Sequence, residues 1–269
     1  MTTNYHQPLN YSSVTSISFS KKFVKISLWY FNFANRTLRV LILSFFETTI
    51  PKIIKTMRYN YIAVEGNIGA GKTTLSTMIS KKYNGRLILE RFDDNPFLAK
   101  FYQDQDKYAF PLELSFLAER YQQLKRELAS QELFTDFTIS DYFLNKSLIF
   151  ARKTLGNDEY QLFSTLFNIM NASLPKPDLL VHLLVSTKRL KSNIEKRGRE
   201  YEQNIAVEYL EKIQESYLEY LKQQPNLRVL LLDVNALDFV AHPPHFEMIV
   251  ESMNHDLPRG ITRKRLLPR

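Results

Sequence analysis

Eight consecutive residues, Gly66 to Thr73, constrain the fold of this chain more than any other feature. They read Gly-Asn-Ile-Gly-Ala-Gly-Lys-Thr and fit the phosphate-binding pattern G-x-x-x-x-G-K-[S/T] at every fixed position. An apolar run at residues 61–64 precedes them, and apolar residues at helical spacing follow. The motif therefore predicts a strand, a glycine loop and a helix that together bind the phosphates of a nucleotide.

The loop chemistry predicts a role for each of its polar residues. Lys72 is expected to reach the β- and γ-phosphates, and the Thr73 hydroxyl is expected to bind Mg²⁺. The glycines let the backbone turn with its N–H groups pointing inward. The predicted ATP-binding residues are Gly66, Asn67, Ile68, Gly69, Ala70, Gly71, Lys72, Thr73 and Thr74.

Hydrophobic patterning beyond the loop predicts an α/β protein. Strands are expected at 61–64, 86–90, 134–140, 178–185 and 228–234, and helices at 111–129, around 146–150, and at 158–172, 207–221 and 246–253. This alternation predicts a three-layer fold with a five-stranded parallel sheet and right-handed crossovers. Glu90 ends the second predicted strand, at the edge where such sheets bind ligands. His182, inside the fourth, is expected in the core.

Charge is concentrated at the two ends of the chain. Residues 1–56 carry seven Lys/Arg and one acid, a net charge of +6, and residues 256–269 carry five Lys/Arg and one acid, a net charge of +4. Because the whole chain has a formal net charge of +8, residues 57–255 have a net charge of −2. A nucleic-acid-binding face on the body is therefore not predicted. The longest apolar run, Val40 to Phe46, contains Ser44 and is shorter than the roughly 18 to 20 residues of a membrane span.

The same division predicts the domain organisation. Residues 1–56 lack the periodicity of a folded domain, and we expect a disordered or mistranslated extension, although a basic, Ser-rich mitochondrial-type leader stays open on composition. The catalytic domain is expected at 57–255 and a basic disordered tail at 256–269. The absence of cysteine excludes disulfides and thiolate metal sites and fits a cytoplasmic location.

Several further motifs resemble the deoxynucleoside kinase family over about residues 57–253. They are Glu90, Asn95-Pro96-Phe97-Leu98, Lys100-Phe101-Tyr102, Leu112-Glu113 through Arg120, and Lys196-Arg197-Gly198-Arg199 with Glu202. Within the family the chain looks most similar to the bacterial kinases of purine deoxynucleosides. The resemblance implies an enzyme of nucleotide salvage, commonly dimeric, that transfers the γ-phosphoryl group of ATP to a deoxynucleoside 5′-hydroxyl with the help of Mg²⁺.

The resemblance also implies residue roles at the acceptor. Glu90 corresponds to the carboxylate near the 5′-hydroxyl, a candidate general base and Mg²⁺ ligand. Tyr102 and Glu202 correspond to the pair that holds the 3′-hydroxyl. Arg120 is placed in the base pocket, and Phe150 corresponds to the aromatic residue that stacks on the base.

Further roles and one departure concern the phosphate side. Arg197 and Arg199 match a lid over the phosphates, and residues 233–235 would border the ATP adenine. Many relatives carry an acid-Arg-Ser triplet after the third strand, where this chain has Ser140-Asp141-Tyr142. Aligned from residue 149 backwards, Asp141 occupies the place of the Arg, and Lys146 the place of a usual Asp. Whether Asp141 contacts Mg²⁺, the lid arginines or the base is thus left open.

Glu113, where a Gln is more usual, predicts a preference for deoxyguanosine. An ionised carboxylate only accepts hydrogen bonds, and guanine presents two adjacent donors, N1–H and the N2 amino group. Adenine and cytosine each present a donor beside a ring-nitrogen acceptor. Arg120 would donate to guanine O6 and N7. A protonated Glu113 would instead resemble Gln, and the discrimination would be lost.

Other functions are weighed against this one. A kinase of deoxyadenosine and deoxycytidine, or of broad specificity, stays open. A nucleoside monophosphate kinase would need additional basic residues for the acceptor phosphate. A nucleotide-binding switch is disfavoured, because Asn145-Lys146 is not continued into Asn-Lys-x-Asp and no Asp-x-x-Gly follows a predicted strand.

Overall fold

Six parallel strands form one sheet in the computed structural model, which describes residues 56–91, 95–130, 132, 134–203 and 205–268, without the side chains of Tyr102 and Tyr201. The strands are β1 (Tyr61–Gly66), β2 (Gly85–Ile88), β3 (Phe137–Ser140), β4 (Leu179–Leu184), β5 (Arg228–Asp233) and β6 (Gly260–Arg265). The helices are α1 (Lys72–Tyr83), α2 (Leu98–Gln103), α3 (Gln105–Ala129), α4 (Lys146–Thr154), α5 (Asn157–Ala172), α6 (Thr187–Arg197), α7 (Val207–Lys222) and α8 (Pro243–Met253). Residues 200–202 form a 3₁₀ turn.

The order of the strands places the phosphate loop at the centre of the sheet. The strands run β2-β3-β1-β4-β5-β6, so β1 has β3 on one side and β4 on the other. The chain therefore changes direction across the sheet at β1, and a crevice opens at the carboxyl ends of the strands there. Gly66, the last residue of β1, begins the loop at this point.

Helices cover both faces of the sheet, as the three-layer prediction requires. Ile62 and Val64 of β1 pack in the main core with residues of α1, α6 and α8, whereas Ala63 packs on the other face with Leu221 of α7. All six β1 residues are buried, which is typical of a parallel strand covered on both sides. His182 of β4 is buried as predicted, with 1% exposure.

A second apolar cluster joins α3, α4 and α5 beside β2. It includes Leu117 and Leu124 of α3, Ala151 of α4, and Phe163 and Phe167 of α5. This packing fixes α3 and α4 against each other, which matters because the polar residues between them line a cavity described below. Truncating a buried leucine of this cluster to alanine would cost about 2–5 kcal/mol.

The sheet has six strands where the sequence predicted five, so the prediction of a disordered tail from residue 256 is wrong for 260–265. β6 pairs in parallel with β5 from Gly260 opposite Arg228 to Arg265 opposite Asp233. Its backbone completes the hydrogen bonding of β5, and Leu266 packs on the main core. The sequence did not predict this strand because its basic side chains give no apolar alternation. Positive charge is common on an exposed edge strand.

Among the other bounds that differ from the sequence prediction are those of β2, β3 and the long helix. β2 ends at Ile88, so Glu90 follows the strand by two residues. β3 begins at Phe137, and Phe134 is 88% exposed. The long helix begins at residue 105 rather than 111, because the Asp104 side chain accepts a hydrogen bond from the backbone N–H of Lys107 and caps it there.

The predicted N-terminal extension, residues 1–56, lies outside the described residues apart from Thr56. The described residues from 56 to 268 form one compact unit. Among the helices of the described residues, none combines the length and the hydrophobicity of a membrane-spanning segment.

Candidate active site

The phosphate loop has the backbone shape that its motif predicts. Gly69 and Gly71 have φ values of 79° and 89°, a region that residues with a Cβ rarely adopt. A Cβ on Gly69 would lie 2.8 Å from the carbonyl oxygen of Leu190, so space also excludes a side chain there. Lys72 Nζ donates to the carbonyl oxygens of Gly66 and Asn67 at 2.9 Å each. The loop and the N-terminus of α1 together thus form an anion site.

Two cavities lie beside the loop. The outer cavity is lined by Gly69, Ala70, Gly71, Thr74, Val185, Arg189, Ser192, Asn193, Lys196, Arg197, Val234, Asp238, Phe239 and Val240. The inner cavity is lined by Ile68, Lys72, Glu90, Leu98, Phe101, Leu112, Glu113, Phe116, Arg120, Lys146, Phe150, Arg199, Glu202 and Tyr209. The loop therefore contributes to both, which is the arrangement that transfer between two bound molecules needs.

The end of β5 shapes the outer cavity. Arg189 of α6 donates to the carbonyl oxygens of Val234, Asn235 and Leu237 and so holds this loop. Of the predicted adenine-bordering residues 233–235, Val234 lines the outer cavity. Asp233 and Asn235 line a neighbouring groove instead.

Glu90 lies in the inner cavity between two cations. Nε and Nη2 of Arg120 lie 2.8 and 2.7 Å from its Oε1, and Nζ of Lys146 lies 2.6 Å from its Oε2. Burial raises the pKa of Glu90, but the charges of Lys146 and Arg120 outweigh that effect and lower it to about 2. Glu90 is therefore an ionised hydrogen-bond acceptor at neutral pH.

Asp141 joins Glu90 to the phosphate loop. Its Oδ2 accepts a hydrogen bond from Thr73 Oγ1, and its Oδ1 accepts one from the backbone N–H of Glu90 at 2.7 Å. Burial raises the pKa of this carboxyl. The two oxygen groups, a hydroxyl and a carboxylate, are of the type that Mg²⁺ binds together with phosphates and water. Both oxygens of Glu90 face cations, so the pair of Thr73 and Asp141 fits a metal better.

Glu113 and Arg120 do not form a solvated helix face but are buried together, 4% and 5% exposed. Glu113 Oε1 accepts a hydrogen bond of 3.0 Å from Thr154 Oγ1 of α4. Burial raises the pKa of Glu113 to about 7, against the opposing effects of Arg120, Thr154 and Lys146. Phe150, on α4 one turn before Thr154, supplies an aromatic wall to the same cavity.

The lid segment is anchored on one carboxylate. Glu202, whose side chain is 8% exposed, pairs with Arg197 through Oε2 and with Arg199 through Oε1. Gly198 between them ends α6 with φ of 75°. Arg197 lines the outer cavity, whereas Arg199 and Glu202 line the inner one. The side chain of Tyr102, the predicted partner of Glu202, lies outside the described residues.

Three of the polar residues for which the sequence predicted no role hold other groups of the site in place. Lys146 holds Glu90, and Thr154 holds Glu113, as described above. Glu65, buried in β1, accepts hydrogen bonds from the backbone N–H of Phe143 at 2.7 Å and from Tyr217 Oη at 2.9 Å. The sequence could have indicated this residue, because an acid inside a buried strand directly before the phosphate loop needs hydrogen-bond partners there. A carboxylate is rarely buried without them.

A phosphate loop at the centre of a parallel sheet, with one cavity beside its glycines and a second around an ionised carboxylate, defines a P-loop phosphotransferase. The chain belongs to the deoxynucleoside kinase family, whose family model matches residues 62–257. It is 38% identical over 193 residues to the deoxyguanosine kinase of Bacillus subtilis (strain 168), which covers 70% of this chain and 93% of that protein. This confirms the resemblance inferred from the motifs.

Two other relatives act on a different purine by name. The deoxyadenosine kinase of Dictyostelium discoideum is 30% identical over 187 residues, or 69% of this chain and 76% of that one. The solved deoxyadenosine kinase of M. mycoides with products dCMP and a flexible dCDP bound has a TM-score of 0.63 and 30% identity, over 72% of this chain and 98% of that one. The protein is thus an ATP-dependent kinase of deoxynucleosides, not a nucleotide switch.

Proposed function

We propose that the protein phosphorylates the 5′-hydroxyl of deoxyguanosine with ATP as the donor. The observation that carries the proposal is Glu113, a buried carboxylate in the inner cavity with Thr154 as its hydrogen-bond donor. Guanine offers this carboxylate two adjacent N–H donors, whereas adenine and cytosine offer one donor and one acceptor. A cavity built around matched polar groups rejects a base that leaves one of them unpaired.

In this proposal the two cavities hold the two substrates. ATP occupies the outer cavity with its phosphates on the loop, and Lys72 reaches the β- and γ-phosphates. The deoxynucleoside occupies the inner cavity, with its base between Glu113, Arg120 and Phe150 and its 5′-hydroxyl at Glu90. Stacking on Phe150 favours any base, so the polar groups decide which base is bound.

Glu90 orients the 5′-hydroxyl by accepting its hydrogen bond. The 5′-oxygen attacks the γ-phosphorus, the bond from that phosphorus to the β,γ-bridging oxygen breaks, and ADP leaves. The transition state of such a transfer is loose, so positioning and charge stabilisation dominate. With a pKa of about 2, Glu90 is a weak base, and it takes the proton late, as the forming O–P bond acidifies the hydroxyl.

The cations around the transferred group supply the charge stabilisation. Lys72 and the N–H groups at the start of α1 act from the loop. Arg197 and Arg199 act from the lid. In the proposed movement they leave Glu202 and pair with phosphate oxygens instead. Glu202 then accepts from the 3′-hydroxyl, which accounts for a buried acid at this point of the inner cavity.

Magnesium fits this site through Thr73 and Asp141. Bound there, Mg²⁺ would neutralise charge on the β- and γ-phosphates. The direct contact between the hydroxyl and the carboxylate supports this assignment. The remaining sequence-based expectation, a metal contact from Glu90, would require Glu90 to release one of its two cations.

We also propose a cytoplasmic homodimer. On α5, Phe163 and Phe167 face the core, while Leu162 and Ile169 are 53% and 68% exposed on the outer side. Exposed large apolar residues on one helix face are typical of an interface. Sedimentation velocity of Ile169→Glu should show a monomer and that of the exposed neighbour Asn168→Glu a dimer; a monomeric parent would contradict the proposal. Cell fractionation tests the location.

Initial rates with the four common deoxynucleosides test the proposed activity. We expect the highest kcat/KM for deoxyguanosine at a pH above 7, where Glu113 is ionised. In Glu113→Gln the ranking should move toward deoxyadenosine and deoxycytidine. A parent that prefers a pyrimidine, or an unchanged ranking in the variant, would show that Glu113 does not read the base and would favour the broad-specificity alternative.

A further inference from the structure

Glu113 differs from Glu90 and Glu202 in that it has no ion pair among the described residues. Glu90 pairs with Arg120 and Lys146, and Glu202 pairs with the lid. Glu113 accepts one hydrogen bond, from a neutral hydroxyl, although it is 96% buried. A carboxylate in such surroundings gains little from being charged.

Charged groups approach Glu113 from several elements, but each is engaged elsewhere. Arg120, on the same helix, directs Nε and Nη2 at Glu90 and donates through Nη1 to Ser147 at 2.7 Å. Lys146 of α4 contacts Glu90, which itself follows β2. Across the inner cavity stand Lys72 of α1 and the pair of Arg199 and Glu202 after α6. Burial consequently prevails, and the pKa of Glu113 lies at about 7.

Thr154 can satisfy Glu113 in either protonation state. Its Oγ1 lies 3.0 Å from Glu113 Oε1 and 3.2 Å from the carbonyl oxygen of Phe150, and a hydroxyl has one hydrogen to donate. When Glu113 is ionised, the hydroxyl donates to the carboxylate. When Glu113 carries its proton on Oε2, Oε1 still accepts from the hydroxyl, and the Oε2–H group remains available to donate to a base. Neither state leaves a buried polar group unpaired at this contact.

The two states of Glu113 complement different purines. The carboxylate accepts from N1–H and the N2 amino group of guanine. The neutral acid has one donor and one acceptor, and it matches the N1 acceptor and N6 amino donor of adenine. In each case the wrong pairing sets two acceptors, or two donors, against each other.

We propose that Glu113 and Thr154 form a proton-controlled base reader, so that this kinase selects deoxyguanosine when Glu113 is ionised and deoxyadenosine when Glu113 is protonated. The inference rests on the proposed placement of the base in the inner cavity. It makes purine selectivity a function of pH around neutrality, and it assigns Thr154 as the positioning residue of the reader.

The expected effect is large and has a defined slope. If deoxyguanosine binds only the ionised form and deoxyadenosine only the protonated form, the ratio of their kcat/KM values rises about tenfold per pH unit. Between about pH 6 and pH 8 the ratio should change by about 100-fold. Every other titration of the enzyme or of ATP enters both rates equally and cancels in the ratio.

The test is this ratio, measured across that range for the parent and three variants. Glu113→Gln, which cannot ionise, should give a ratio independent of pH. Thr154→Val removes the donor to the carboxylate and should lower the ratio at each pH while the slope is kept, and Thr154→Ser should restore the parent values. A ratio that is flat in the parent, or equally steep in Glu113→Gln, would overturn the proposal.

Proton exchange on binding gives a second measurement that does not depend on turnover. Calorimetry near pH 7 in two buffers of different ionisation enthalpy should show proton release when deoxyguanosine binds and proton uptake when deoxyadenosine binds. The absence of exchange with both would contradict the reader. Failure to phosphorylate any deoxynucleoside at any pH would instead contradict the proposed function, so the two failures are distinguishable.

Discussion

Replacement of Lys146 by Met tests how the protein keeps an ionised carboxylate inside its active site. Lys146 Nζ lies 2.6 Å from Glu90 Oε2, and the two side chains are only 12% and 8% exposed. Methionine retains most of the length and apolar surface of lysine but lacks its charge. In Lys146→Met, Arg120 alone would balance Glu90.

The magnitude follows from the pKa of Glu90. Burial raises it, yet the two cations lower it from 4.5 to about 2, a net stabilisation of the ionised form by ~3 kcal/mol. Because Lys146 makes the larger of the two cationic contributions and burial opposes the charge, we expect its loss to remove this whole stabilisation and to cost about 3–5 kcal/mol at neutral pH. For a body of this size the Tm should fall by about 6–20 °C.

The contribution of Glu90 to the free energy of unfolding depends on pH with opposite signs in the parent and in Lys146→Met. The depressed pKa in the parent gives stability that is present above the unfolded pKa of about 4.3 and lost only as the pH falls through about 2. In Lys146→Met burial prevails, and the folded pKa rises above the unfolded one. Stability is then lost as the pH rises through the folded pKa, so the Tm difference should widen from about pH 5 to pH 7.

Thermal unfolding followed by circular dichroism at several pH values measures this difference. Lys146→Arg is the matched control, because it keeps the charge and should stay near the parent at every pH. A Tm difference that is the same at both ends of the range would refute the reasoning, since a packing defect has no such pH dependence. A variant as stable as the parent would show that Arg120 alone suffices.

Three further predictions concern catalysis. Glu90→Gln should keep ATP and nucleoside affinity but lower kcat by about 10²–10⁴ in steady-state assays; a change confined to KM would mean that Glu90 only binds. Asp141→Asn keeps the acceptor for Thr73 but loses the charge, and it should raise the Mg²⁺ concentration for half-maximal rate by about tenfold or more; an unchanged Mg²⁺ dependence would remove Asp141 from the metal site. Glu202→Ala should reduce the penalty that the parent shows for 2′,3′-dideoxynucleosides relative to 2′-deoxynucleosides, and equal penalties in both proteins would separate Glu202 from the sugar.

The contacts that define the reacting centre were beyond the reach of the sequence. Lys146 is 56 residues from Glu90, and Asp141 is 68 residues from Thr73. The alignment of Asp141 and Lys146 with residues of opposite charge in relatives left their duties open. Only the packing of α4 against α3 shows that Lys146 faces Glu90, and only the pairing of β3 with β1 shows that Asp141 lies beside the phosphate loop.

The missed sixth strand has a related cause. Residues 260–265 have no apolar alternation, and their strand exists because the open edge of β5 offers unpaired backbone groups. Likewise, Glu113 and Arg120 have the spacing of two solvated charges on a helix. Their burial depends on which elements cover that face of α3, and the spacing of residues along the helix does not indicate this.

The sequence by itself determined the nucleotide site, the family and the α/β class, because a phosphate loop and buried parallel strands are encoded in contiguous residues whose backbone conformation and burial are local properties. The tertiary structure alone decided the partners of each charged group and hence its protonation. Burial and opposite charge shift a pKa in opposing directions, and their balance left Glu90 near 2 and Glu113 near 7 although both are buried glutamates in one cavity.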